Sequence, residues 1–151
     1  MHVRRHVDRI RGLAALAITE RARSALRATG ERVTPARLRV YVALLDSARA
    51  LSHHELEAAL VTGAPVDRVT LYRVLDWLVE QGLAHRVAGI DRVWRFGIAQ
   101  ESHAGHAHFQ CNQCGKVVCL GEAATGPVPL PRGFRPEAVE LTVKGRCAEC
   151  G

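Results

Sequence analysis

No stretch of this sequence approaches the roughly 18 uninterrupted apolar residues of a membrane span. The opening residues MHVRRHVDRIRG carry arginines but no long apolar run ending in a small-residue cleavage site. No secretion signal is read there, and a cytoplasmic location is expected. No nucleophile–base–carboxylate set and no phosphate-binding glycine loop stands out, which argues against an enzyme. Internal repeats are lacking, so a solenoid is not indicated. Cysteine is absent until Cys111, and all five cysteines follow from there. Acids are scarce early: residues 1–39 hold ten arginines against Asp8, Glu20 and Glu31.

The 151 residues suffice for one large domain or two small ones, and 48% apolar residues can fill a core. The net charge is +6, and the first 39 residues account for all of it. Such a basic region suits a polyanion, most often nucleic acid. Charge alone leaves a solvated arginine-rich surface equally open.

Helix signals dominate the first half. Residues 1–18 read as an extension with Ile10, Leu13, Leu16 and Ala17 on one helical face, and a second helix is expected over 19–29, closed by Gly30. Thr34-Pro35 is a helix start followed by Leu38, Tyr41, Val42 and Leu45 at helical spacing. Ser52-x-x-Glu55 is a capping box for a short helix to about Leu60. Asp67 caps a helix to Gln81 that buries Leu71, Val74, Leu75 and Leu78 and shows Arg68, Tyr72, Arg73 and Asp76 outward. Strand-like runs Leu83–Val87 and Arg92–Phe96 flank the turn Ala88–Asp91. This order is that of a winged helix-turn-helix. Gln100–Gly105 reads as a linker. Strands are expected over His106–Cys111, Lys116–Leu120 and Ala138–Val143, with a proline-rich loop at Gly126–Pro131. The fold class is therefore α+β, with a winged helix in 1–99 and a small α/β domain in 100–151.

Cys111-x-x-Cys114-Gly115 and Cys147-x-x-Cys150-Gly151 are two matching knuckles. Each places two thiolates on one tight turn, and two such turns supply the four soft ligands of a closed zinc site. The long gap between them is a weak objection, because loop-closure entropy grows only logarithmically. Redox-active or incidental thiols are the competing reading.

Four segments carry a family resemblance: Val33-Thr34-Pro35-Ala36-Arg37, Val69-Thr70-Leu71-Tyr72-Arg73-Val74-Leu75, Glu80-Gln81-Gly82-Leu83, and His106-Ala107-His108-Phe109-Gln110-Cys111-x-x-Cys114-Gly115-Lys116-Val117-Val118. From about residue 20 onward the chain resembles the ferric uptake regulator family of metal-responsive repressors. The resemblance implies a homodimer that binds double-stranded operator DNA when loaded with metal. It assigns Tyr72 and Arg73 to the recognition helix, where an arginine can read guanine through two hydrogen bonds. Arg37, Arg39 and Arg68 become candidates for phosphate contacts, and His54 for a further DNA contact.

The resemblance also implies a second metal site. His106 and His108 match the family's His-x-His ligands, and residues two apart on a strand face the same side. Cys119 stands where the family usually has a carboxylate, and its sulfur favours zinc over iron(II). His85 matches a wing histidine of the zinc-uptake branch. His103 is a further candidate, with a plain linker histidine as the alternative. Cys119 could also be an ordinary buried thiol. His53 reads as a surface residue of the capping turn, and His2 and His6 as arm residues. The branch's frequent wing cysteine is missing, since Arg95-Phe96 stands there. The helix usual after the Cys119 region gives way to the proline-rich stretch.

The leading expectation is a zinc-sensing repressor of metal-uptake genes, with one structural and one regulatory zinc per chain and no other small-molecule substrate. An iron- or peroxide-responsive regulator of the same family is the first alternative. A zinc-ribbon adaptor for nucleic acid or protein, with no sensing, is the second.

Overall fold

The computed structural model describes residues 2–99, 106–122, 127–137 and 139–151. The expected linker, with His103, lies outside them, and the side chains of residues 2–11 and of His106 are likewise outside what is described. Four helices precede most of the strands: α1 (His2–Ala28), α2 (Pro35–Asp46), α3 (His53–Ala59) and α4 (Arg68–Glu80). The strands are β1 (Leu51–Ser52), β2 (Ala84–Ala88), β3 (Trp94–Ile98), β4 (His106–Cys111), β5 (Val117–Glu122) and β6 (Leu141–Gly145).

The caps read from sequence are made. The Thr34 hydroxyl accepts from the Arg37 amide at 3.2 Å. Ser52 and Glu55 exchange the two bonds of the capping box, at 2.8 and 3.3 Å. Asp67 accepts from the Thr70 amide at 2.9 Å. Each satisfies an amide that the first helical turn leaves without a backbone partner. Residues 1–18 and 19–29 do not form two elements: α1 runs through both. Only Gly12 interrupts the pattern, and one glycine inside a helix costs about 1 kcal/mol relative to alanine, too little to break it.

Helices and wing share one core. Leu26 of α1, Val40 and Leu44 of α2, Leu56 of α3, and Leu71, Leu75 and Leu78 of α4 are all fully buried. Phe96 of β3 and Ala84 of β2 close it from the sheet side. The first sheet has the order β1-β3-β2, all antiparallel. The two-residue β1, which has no sequence signature of its own, pairs Leu51 with Phe96 and Ser52 with Arg95.

The hairpin strands start later than their apolar runs suggest, and Ala88 pairs with Trp94. The intervening loop is longer than a four-residue turn. Asp91 accepts from the Val93 amide at 3.1 Å, Gly89 donates to the Val93 carbonyl at 2.9 Å, and Arg92 adopts φ 59°. This carboxylate-centred turn absorbs Arg92 and Val93, which would otherwise extend β3.

The second sheet has the order β5-β4-β6, with β4 antiparallel to β5 and parallel to β6. One extra residue, Leu120, bulges from β5 between the Ala107–Gly121 and His108–Cys119 pairs. Residues 127–137 form neither helix nor strand.

Leu75→Ala removes a side chain with no solvent exposure. It is expected to destabilise the helical core by about 2–5 kcal/mol in urea unfolding; a loss below about 1 kcal/mol would contradict the packing described.

Candidate metal centre and nucleic-acid interface

Parallel pairing of β4 with β6 brings the two cysteine knuckles together. The ladder ends at Cys111 opposite Gly145, so Cys147 follows two residues beyond the end of that pair. The Asn112 amide donates to the Gly145 carbonyl at 2.7 Å, and the Cys147 amide donates to the Cys111 sulfur at 3.4 Å. The first knuckle is closed by the Gly115 amide on the Cys111 carbonyl at 3.1 Å, with Gly115 at φ +71°. The second is closed by the Cys150 amide on the Cys147 carbonyl at 2.9 Å. Lys116 and Glu149, one beside each knuckle, form an ion pair at 2.6 Å.

All four sulfurs lie within 4.8 Å of one another. Tetrahedral zinc with Zn–S bonds of about 2.3 Å needs sulfurs about 3.8 Å apart, and Cys114 and Cys147 stand at 3.7 Å. No disulfide joins the cysteines. Amide donors from Cys114 and Cys147 pull the Cys111 thiol down to about 6. Hydrogen bonding with the Cys147 and Cys114 thiols pushes Cys150 up to about 12. Four sulfurs at this range cannot all ionise unaided, and a divalent cation removes that penalty. The donor set therefore suits a thiophilic ion in a closed site.

A second cluster sits where the wing meets the other sheet. His85 of β2 and His108 of β4 face each other with their Nε2 atoms 3.0 Å apart. The Nδ1 of His85 lies 3.1 Å from the Ile98 carbonyl, which can only accept, so Nδ1–H donates there and Nε2 is turned toward His108. Cys119 pairs across the ladder with His108. The three line a cavity of about 200 Å³ with Ser47, Ala48, Arg49, Ala50, Gly97 and Ile98. A Cβ at Gly97 would stand 3.0 Å from the His85 ring, so glycine makes the room. The Ala50 amide donates to the Val117 carbonyl at 3.1 Å and ties the two sheets together beside the cavity. Of the five residues expected here, His85, His108 and Cys119 are thus brought together. His103 and the His106 side chain lie outside the described residues.

The exposed face of α4 carries Tyr72 and Arg73. Tyr72 stacks on His53 at 3.9 Å between ring centroids, and His53 meets Phe96 edge-on at 4.9 Å. His53 is therefore a half-buried wedge under Tyr72, which its place in a capping turn does not reveal. Burial lowers its pKa, against the raising pull of Asp76 and Glu57. His54 is exposed at the same edge, in a hollow shared with Arg68 and Tyr72.

The three phosphate-contact candidates already have protein partners. Arg68 pairs with Glu57 through two bonds, at 2.7 and 3.3 Å. Arg37 lies 3.7 Å over the Trp77 ring and donates to the Arg32 carbonyl at 2.8 Å. Arg39 donates to the Leu60 carbonyl at 2.8 Å and to that of Thr62, holding the end of α3. An ion pair absent from the expectations joins Asp91 and Arg95 across the wing, at 2.7 and 2.9 Å. The Asp91-x-x-x-Arg95 spacing was its only sequence trace. The Arg95 guanidinium holds the Asp91 carboxyl down at about 2.

Residues 28–125 match the model of the ferric uptake regulator family. The zinc uptake regulation protein of Escherichia coli is 29% identical over 126 residues, covering 79% of this chain and 72% of that protein. The ferric uptake regulation protein 1 of Mycolicibacterium fortuitum is 30% identical over 104 residues, covering 69% of this chain and 63% of that one. Among solved structures, a zinc uptake regulator complexed with zinc and DNA superposes with TM-score 0.66 at 23% identity, covering 90% of this chain and 94% of the other. The Vibrio cholerae ferric uptake regulator superposes with TM-score 0.62 at 24% identity, covering 82% and 98%. At these identities the structural likeness speaks for the fold.

Cys147→Ser replaces the sulfur that bridges the knuckles. Cobalt(II) titration of the parent is expected to give the intense thiolate charge-transfer absorption of a four-sulfur site. The variant should lose it, together with amide protection in β4 and β6; an unchanged spectrum would contradict the four-sulfur geometry.

Proposed function

Because the chain belongs to the ferric uptake regulator family, we propose that it is a zinc-sensing repressor: a homodimer that binds operator DNA and controls metal-uptake genes. The observation that carries this reading is the cleft shared by His85, His108 and Cys119. It has two imidazoles and one thiol, a nitrogen–sulfur set that suits zinc better than iron(II). It also spans the junction between wing and second sheet, where a bound ion bears on the angle of the DNA-reading unit.

In this reading residues 1–99 form the DNA-binding domain and residues 100–151 the dimerisation and metal-binding domain. Cys111, Cys114, Cys147 and Cys150 hold a structural zinc that does not exchange with the cellular pool. His85, His108 and Cys119 hold the sensed ion, with His106 or His103 open as a further ligand. Two zinc ions per active chain follow. Exposed apolar side chains on the second sheet, Leu120, Leu141 and Val143, support pairing with a second copy. The protein works in the cytoplasm, where its operator is.

Arg73 is the base-reading residue, and Tyr72, held by His53, sets the height of the helix on the duplex. Arg68, Arg37 and Arg39 contribute positive field near the DNA backbone while staying bound to their protein partners, and His54 is placed for a contact at the rim. The second reading is an iron-responsive regulator, favoured by the identity to the M. fortuitum protein. Sulfur in the cleft weighs against it.

Arg73→Ala should remove operator preference in gel-shift assays while leaving the dimer folded, because a bidentate guanine contact contributes about 1–3 kcal/mol of discrimination. Equal operator affinity in variant and parent would sink the assignment. Cys119→Ala should keep the structural metal and the fold but abolish the zinc dependence of DNA binding. Activation of the parent by iron(II) or manganese(II), and not by buffered zinc, would replace the zinc reading with the iron one.

A further inference from the structure

The Asp91–Arg95 pair reaches beyond its own hairpin. Arg95 is 8% exposed, although it lies on a strand of the wing. Its guanidinium rests against the first cysteine knuckle: a Cβ at Gly115 would stand 3.1 Å from Arg95 Nη2 and 3.5 Å from Asp91 Oδ2. Gly89 is needed on the other side, since a Cβ there would meet Arg95 Nη1 and Asp91 Oδ1 well inside contact distance. The side chain is thus gripped between the hairpin turn and the knuckle. The charges agree with the packing. Asp91 first, and Glu55 more weakly, favour the charged guanidinium against its burial, and a four-thiolate site around a divalent ion would keep a net charge of about −2 that attracts it further.

We infer that Arg95 is a positioning residue that seats the β2–β3 hairpin on the Cys111–Cys114 knuckle, so that metal held by the four cysteines fixes the stance of the wing as well as the second sheet. The inference rests on reading the four cysteines as a metal site. It gives the structural site a part in DNA reading that the sensing cleft does not supply. Coupling through a contact is reciprocal, so loosening Arg95 must also loosen the metal.

The test uses the dimer of this chain with cobalt(II) on its four cysteines. Arg95→Met keeps the bulk and removes the fork. Gly115→Asn keeps both members of the Asp91–Arg95 pair but crowds their seat from the knuckle side, with a residue that tolerates positive φ. Both variants should load cobalt to the parental stoichiometry. Both should release it to excess chelator about fivefold faster or more, with faster hydrogen exchange in Ala84–Ala88 and Trp94–Ile98. The double variant should show no further acceleration, because both changes break one contact. Cobalt release at the parental rate from Arg95→Met, with only hairpin exchange altered, overturns the inference and leaves Arg95 a strut of its own turn. A parent that takes up no cobalt on its cysteines overturns the metal reading itself, and the inference with it.

Discussion

Four sulfur atoms within 4.8 Å of one another close the second sheet at one end. Its described buried residues are few: Ala107, His108, Gln110, Cys111 and Val117. Strand β6 is exposed along nearly its whole length. Three short strands with so small a core are marginal in water. A metal ion on four thiolates can contribute on the order of 10 kcal/mol of folding free energy, which changes that balance. A metal there would bear most directly on the parallel β4–β6 pair, because the connection between its strands includes residues 127–137, which form neither helix nor strand.

With that sheet fixed, the wing has something to stand on. Among the described residues, contacts between the first and second sheets include the Ala50 amide on the Val117 carbonyl, His85 against His108, and Arg95 against Gly115. The first is a neutral backbone bond and gives register. The second lies in the cleft read as the sensor, where protonation or metal changes the interaction. The third ties the wing tip to the cysteine knuckle. Helix α4 shares one core with β2 and β3, so a metal that fixed the wing would bear on the stance of α4 as well.

Most of this was legible where a local rule suffices. The caps at Thr34, Ser52 and Asp67 and the buried face of α4 follow from short-range chemistry, and the helices start where those residues stand. The paired knuckles were legible because two C-x-x-C turns, each closed by a glycine, are a specific local pattern. Non-local choices were not. β1 is two residues long and exists only because β3 needs a neighbour. The wing turn depends on Asp91 folding back on Val93 and Arg95, which no hydrophobic pattern announces. Side-chain partners were least legible of all. Arg37, Arg39 and Arg68 look like a phosphate-seeking set in sequence, yet each has an indole, a carbonyl or a carboxylate to satisfy within the fold. His53 looked like surface and serves as the packing beneath Tyr72.

The proposed function requires zinc to enter two chemically different sites, one of sulfur alone and one of nitrogen and sulfur at the wing junction. X-ray absorption at the zinc edge, with one and then two equivalents per chain, tests it most directly. One equivalent should give four sulfurs at about 2.3 Å. The second should add the multiple-scattering pattern of imidazole and lower the mean sulfur count, and DNA binding should appear with it. A second equivalent that brings only oxygen ligands, or DNA binding complete at the first, would contradict the account.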